Sequence, residues 1–105
     1  MALSFKAENN VENNTWEVSL EGDADIDNEQ YLREQFEKVL IEKRQNIVIE
    51  MSKLGYMDSV GLAVIIKVYK SINADGYTIK VKNPRGDVKK LLKTSGCDRI
   101  LCYSL

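Results

Sequence analysis

The chain has 105 residues, of which 44% are hydrophobic and 30% charged, and its formal net charge at pH 7 is −1. This length fits one domain over residues 1–105 and leaves no room for a second core. The composition is typical of a soluble globular protein. The presence of only one proline and six glycines argues against a disordered or linker-rich chain.

The chain contains two cysteines, Cys97 and Cys102, and no histidine. Their spacing differs from the C-x-x-C of redox and metal motifs, and a zinc site needs four ligands that are mostly Cys and His. We therefore expect no metal and no other cofactor, and two reduced thiols of which at least one packs as a small hydrophobe.

The longest apolar stretch runs from Leu62 to Ile66 and is far too short to span a bilayer. The first residues form no apolar run of signal-peptide length. These features predict a cytoplasmic protein without membrane contact.

Charge is distributed unevenly along the chain. Residues 1–60 carry six Lys or Arg and thirteen Asp or Glu, whereas residues 61–105 carry nine basic and three acidic residues. Such a division can orient a binding partner through its electrostatic field. It is equally compatible with two solvated halves that neutralise each other in the folded domain, because exposed charges interact weakly.

The N-terminal third predicts a β-hairpin followed by a helix. Apolar and polar residues alternate over 3–7 and again over 16–20, the period of half-buried strands. Asparagines between these segments are typical of turns. Residues 22–27 are predicted to form an acidic loop, with Asp27 or Asn28 placed to cap the helix that follows.

Apolar residues at helical spacing predict two longer helices on either side of a buried strand. The strand is the short continuous run 47–49, and a loop over 52–58 leads from it into the second helix. In the first helix the apolar positions are Tyr31, Leu32, Phe36, Val39 and Leu40. In the second they are Leu62, Ile65, Ile66, Tyr69 and Ile72.

The remaining segments complete the domain. Asp75-Gly76 is expected to end the second helix, because glycine adopts the left-handed conformation at many helix ends. Residues 77–82 alternate as a strand, residues 88–92 belong to a short basic helix, and residues 100–103 are predicted to form a last strand. The order is β-β-α-β-α-β-α-β, which indicates an α/β fold with a mixed β-sheet and right-handed crossovers.

The segment 49–62 runs from the end of the buried strand to the start of the second helix, and sites in α/β sheets lie outside the carboxyl ends of strands. Either Asp58 or Ser59 can be the N-cap. If Asp58 caps the helix, the Ser59 hydroxyl lies near water, and a phosphoryl group on it would meet free backbone N–H groups and the positive helix end. Gly61 leaves room for a partner or for a close backbone contact. By itself, a serine at a helix start is most often only a cap.

The box Asp58-Ser59-x-Gly61-Leu62, preceded by Tyr56-Met57 and an apolar strand, resembles the signature of the STAS domain, the anti-sigma factor antagonist family. The similarity extends over nearly the whole chain. Gly22-Asp23-Ala24-Asp25 lies where this family has a Gly-x-Leu-Asp turn, and Ser95-Gly96-Cys97 resembles the Ser-Gly-Leu that follows its third helix. The chain departs from the family pattern at Glu50, where Asp is common, at Ala24, and at Val60, which leaves one hydroxyl in the box.

The resemblance implies a partner-switching protein. The unphosphorylated form would bind an anti-sigma factor, which is a serine kinase, and release a sigma factor. Phosphorylation at Ser59 would switch the protein off, and a serine phosphatase would reset it. We also expect a monomer or weak dimer. The partner-binding surface would comprise Asp25, Tyr56, Met57, Asp58, Gly61 and Leu62.

Two alternatives lie outside this family function. An enzyme with Ser59 as nucleophile would need a base, and with no histidine only Lys53 or Lys67 is available. Gly-x-Ser-x-Gly and phosphate-loop motifs are absent from the sequence, so we expect no enzymatic activity. Direct nucleic-acid binding is also not expected, because no recognition motif accompanies the basic residues of the C-terminal third. These are Lys80, Lys82, Arg85, Lys89, Lys90, Lys93 and Arg99.

A third alternative keeps the family and changes the role. The resemblance to standalone STAS domains also allows two other roles, as a scaffold component of a stress-signalling complex or as a soluble subunit of a lipid transport system. Ser59 would then be only a helix cap, and Tyr56, Met57 and Leu62 would act as apolar contacts.

Overall fold

The structure is a computed structural model that describes residues 2–101. Its four strands are β1 (Ser4–Asn10), β2 (Thr15–Ala24), β3 (Asn46–Met57) and β4 (Ile79–Lys82). Its helices are α1 (Glu29–Glu42), α2 (Ser59–Asn73), α3 (Gly86–Thr94) and α4 (Asp98–Leu101), with a short 3₁₀ helix over Ile26–Asn28 before α1.

The strands form one sheet in the order β1-β2-β3-β4. β1 and β2 are antiparallel, while β2–β3 and β3–β4 are parallel. This confirms the predicted mixed sheet and the α/β class, and the element order is as expected through α3.

The core lies on one face of the sheet, because buried and exposed residues alternate along the regular parts of the strands. In β2, Trp16, Val18 and Leu20 are buried, while the residues between them are exposed. Ile47 and Ile49 continue the buried face in β3, and apolar residues of α1, α2, α3 and α4 pack in the same core. The opposite sheet face carries mainly polar side chains, among them Lys6, Ser19, Glu50 and Lys82.

β3 is longer than the sequence predicts, and the expected loop over 52–58 is wrong except at Asp58. The pairing of β2 with β3 shifts register after Ser19 and again after Gly22, and then continues to Ala24 opposite Met57. The shifts break the period-two pattern on which strand prediction rests. For the same reason the predicted acidic loop over 22–27 begins only after Ala24.

The predicted last strand is wrong in its described part. α4 includes Ile100 and Leu101, whose N–H groups donate to Cys97 O at 3.1 and 2.8 Å. Helical spacing lets Cys97 and Leu101 enter the core together. The Cys97 thiol is unpaired and buried, as expected for a small hydrophobe; Cys102 and Tyr103 lie outside the described residues.

The predicted end of α2 at Asp75-Gly76 is confirmed. Gly76 has a φ of +88°. Its N–H donates to Asn73 O at 2.9 Å, and that of Tyr77 donates to Ile72 O at 3.1 Å. This pair of bonds is the Schellman motif, which requires a left-handed residue at this place.

We predict that Phe36→Ala destabilises the domain by about 3–5 kcal/mol, because Phe36 is fully buried and large-to-small changes leave a cavity. Phe36 also packs edge-on against Phe5, with ring centroids 5.0 Å apart. Urea unfolding would measure the change. Ile41→Ala on the same helix is the control, because Ile41 is 86% exposed and its loss should alter the free energy of unfolding by less than about 0.5 kcal/mol. Equal effects of the two variants would contradict this packing.

Candidate functional site

A single carboxylate organises the junction between β3 and α2. Asp58 Oδ1 accepts from the N–H groups of Val60 and Gly61, both at 3.0 Å. Its other oxygen, Oδ2, accepts from the N–H of Ile26 at 3.0 Å. Asp58 therefore caps α2, one of the two possibilities left open by the sequence, and also holds the loop that follows β2.

Close backbone contact reinforces this junction. The Asp58 N–H donates to Ala24 O at 3.2 Å. A Cβ atom on Gly61 would lie 2.0 Å from the same carbonyl oxygen, a separation no side chain can adopt. The sequence allowed two roles for Gly61, and the structure shows the close backbone contact. Because glycine has no side chain, α2 can start directly against the end of β2.

Ser59 is the first residue of α2, and it is exposed. Within residues 2–101 its hydroxyl makes no hydrogen bond, so it is free to accept a modifying group. The expectation of free backbone N–H groups for a phosphoryl group is wrong for Val60 and Gly61, because the Asp58 carboxylate already binds both. The favourable interaction with the positive end of the helix dipole remains.

The loop beside Ser59 is built by Asp25 and Asn28. Asp25 Oδ1 accepts from Asn28 N–H at 3.2 Å and from Asn28 Nδ2 at 3.0 Å, so Asp25 caps the 3₁₀ helix. Asn28 precedes α1 as predicted but makes no side-chain capping bond to it. The structure thus brings Asp25 to the loop that Asp58 holds through Ile26.

The remaining predicted partner-binding residues divide by exposure. Tyr56 is 46% exposed and can contact another molecule. Met57 and Leu62 are buried in the core. They therefore pack beneath the exposed surface, and their expected role as direct partner contacts is wrong. Ile26, which is 66% exposed, was not among the predicted site residues. Its position between two aspartates was the one feature of the sequence that could have indicated an exposed isoleucine.

A groove of about 480 Å³ lies between α1 and α2 and begins at Val60, next to Ser59. Ala63, Val64 and Leu40 contribute apolar lining. Arg33 lies on its rim and pairs with Glu29 at 3.1 Å and with Glu37 at 3.6 Å.

Glu50, where the family commonly has Asp, has a structural role. Partial burial alone raises its pKa. Hydrogen bonds from Asn83 Nδ2 and the Ser52 N–H, together with the charge of Lys82, outweigh that effect, so its pKa lies below the usual value. A depressed pKa stabilises the fold above the unfolded-state pKa and loses that contribution as the pH falls through the folded-state value.

The basic residues of the C-terminal third are distributed over β4 and α3 and the segments flanking them, with most of their side chains in solvent. In the part of the chain that the structure covers, no group of three or more Cys, Asp or Glu side chains is placed to hold a metal ion. No helix within 2–101 is long and apolar enough to cross a membrane.

Comparison with known proteins agrees with this geometry. The sequence matches the STAS domain family over residues 6–104. It is 36% identical over 86 residues to the anti-sigma F factor antagonist of Paenibacillus polymyxa, covering 80% of this chain and 73% of that protein. The chain therefore belongs to the STAS domain family, which confirms the resemblance found in the sequence.

Two solved structures share the fold. An anti-sigma factor antagonist from Mycobacterium paratuberculosis superposes with a TM-score of 0.80 at 18% identity, covering 97% of this chain and 85% of that one. The Bacillus cell fate determinant SpoIIAA in its phosphorylated form gives a TM-score of 0.71 at 21% identity, covering 97% and 92%.

We predict that Asp58→Ala lowers the free energy of unfolding by about 1–3 kcal/mol, since it removes a helix cap and leaves three N–H groups without their acceptor. Amide hydrogen exchange at Ile26 should become faster, because its N–H loses the Asp58 bond. Asp27→Ala, an exposed carboxylate in the same loop, is the control and should leave both measurements nearly unchanged. Unaltered exchange at Ile26 in Asp58→Ala would contradict the bridging role.

Proposed function

We propose that this chain is a cytoplasmic anti-sigma factor antagonist that works by binding and carries no catalytic activity of its own. Its unphosphorylated form binds an anti-sigma factor that is also a serine kinase, and a sigma factor is released. Phosphorylation of Ser59 ends the binding, and a serine phosphatase restores it. The observation that carries this proposal is the exposed Ser59 hydroxyl, free of hydrogen bonds within residues 2–101, at a rigidly capped helix start.

Family membership supports the proposal. The relative from Paenibacillus polymyxa is named an anti-sigma F factor antagonist. Exposed apolar residues on both sides of the capped junction, Ile26 and Tyr56, supply contact area of the kind that protein interfaces use.

Electrostatics explains how one phosphoryl group can act as a switch. Phosphoserine adds about −1.5 to −2 charges at neutral pH. In the free domain water solvates this charge and the α2 dipole favours it. At an interface the charge must be desolvated beside the Asp58 carboxylate, which costs several kcal/mol without a cationic partner. A loss of roughly 3–5 kcal/mol weakens binding by about 10²–10⁴, and the fold need not change.

The geometry gives no support to a nucleophilic role for Ser59. Within the described residues its hydroxyl has no hydrogen bond to Lys53, to Lys67 or to any other base. A serine nucleophile needs such a base to remove its proton. A phosphoacceptor does not, because the kinase supplies the catalytic groups.

We predict that Ser59→Asp weakens binding to the cognate anti-sigma factor kinase by at least about tenfold, because a carboxylate carries part of the phosphoryl charge. Ser59→Ala should bind as the wild type does and take up no phosphate from that kinase and ATP. Titration calorimetry and mass spectrometry measure the two effects.

Ser71→Asp is the matched control, because it adds one carboxylate to an exposed position of the same helix, at the end remote from Asp58. It should bind normally. Wild-type affinity of Ser59→Asp, or phosphate mapped to another residue, would contradict the proposal.

A further inference from the structure

The outer edge of β1 pairs with no other strand in the described part of the chain, because β1 is an end strand of the sheet. Phe5 lies opposite Leu20 of β2, and its N–H donates to Tyr31 Oη at 3.3 Å, so this group faces away from β2. Inward and outward groups alternate along an antiparallel strand. The backbone N–H and C=O groups of Ala7 and Asn9 therefore also face outward, and within residues 2–101 no backbone group beyond the sheet pairs with them.

We propose that this edge pairs with β1 of a second copy of the chain, antiparallel and around a two-fold axis at Ala7. In this register Ala7 lies opposite Ala7 of the second copy, and Phe5 lies opposite Asn9. These are the positions whose backbone groups face outward, so they form the hydrogen-bonded rungs. The two sheets then become one continuous sheet with an isologous interface.

Charge complementarity selects this register. With the axis at Ala7, Lys6 of each copy lies opposite Glu8 of the other, at the positions between hydrogen-bonded rungs where side chains come closest. An axis at Lys6 or at Glu8 would place like charges opposite each other. Axes at Phe5 or Asn9 would form no Lys–Glu pair.

The isolated chain places Glu8 beside a second carboxylate. Glu8 lies opposite Glu17 across the β1–β2 ladder, and like charges directly opposite are destabilising. Neither Lys6 nor Glu8 takes part in an ion pair of the described structure. A second copy supplies a cation beside each Glu8.

Tyr31 limits the strength of this association. Its hydroxyl accepts from the Phe5 N–H, so Tyr31 must turn away before this N–H can donate to the Asn9 carbonyl of the second copy. The dimer is therefore weak and forms as the protein concentration rises.

Sedimentation velocity of the full chain over a concentration series tests the proposal. The wild type should shift reversibly from monomer to dimer. Lys6→Glu and Glu8→Lys should each raise the dimer dissociation constant about tenfold or more, because each turns both Lys–Glu pairs into like-charge pairs. An equimolar mixture of the two variants should dimerise again, since every cross-strand pair in the mixed dimer then joins opposite charges.

Glu12→Lys is the matched control, because it makes the same charge change at an exposed position of the β1–β2 turn and should leave dimerisation unchanged. Circular dichroism checks that each variant is folded. A wild type that stays monomeric throughout, reversals without effect, or a mixture no more dimeric than either variant alone would overturn the proposal.

Discussion

The Asp58 carboxylate is the constraint on which the site depends. Its two oxygens accept three backbone N–H groups, two from the start of α2 and one from Ile26 after β2. Because each N–H would otherwise need another acceptor, removing the carboxylate affects two segments at once. Gly61 permits the contact by leaving the Ala24 carbonyl unobstructed. The position of Ser59 thus follows from its neighbours, and its own side chain stays free.

This arrangement suits a switch in which charge, and not conformation, changes. A phosphoryl group on Ser59 would enter a region already rich in carboxylates, with Asp58 adjacent and Asp25 in the neighbouring loop. The first-turn N–H groups of Val60 and Gly61 cannot hold it, since they are bound to Asp58. Under the proposed function, we therefore expect an added dianion to act mainly on a docked partner and only weakly on the domain itself.

Periodicity made much of the fold predictable. Regular alternation predicted the first part of β2, helical spacing predicted α1 and α2, and the glycine at position 76 predicted the end of α2. Prediction from the sequence was wrong where the strand or helix geometry departs from a simple repeat. The register shifts between β2 and β3 concealed the last part of β3, and the short helix that buries Leu101 resembled a strand.

The site was predictable in its residues and less so in their contacts. Asp58 and Ser59 lie where the sequence placed them. However, the apolar residues Met57 and Leu62 point into the core, whereas Ile26 does not. The sequence alone could not show which of these three residues is buried. The burial of a short segment between two elements depends on how the strand ends pack.

The most direct test compares amide NMR spectra of the chain before and after phosphorylation, with the modified residue identified by mass spectrometry. We expect a single phosphate on Ser59 and chemical-shift changes confined to the start of α2 and the Ala24–Ile26 loop, with the core resonances in place. Shift changes throughout the sheet, or a phosphate on a different residue, would contradict it.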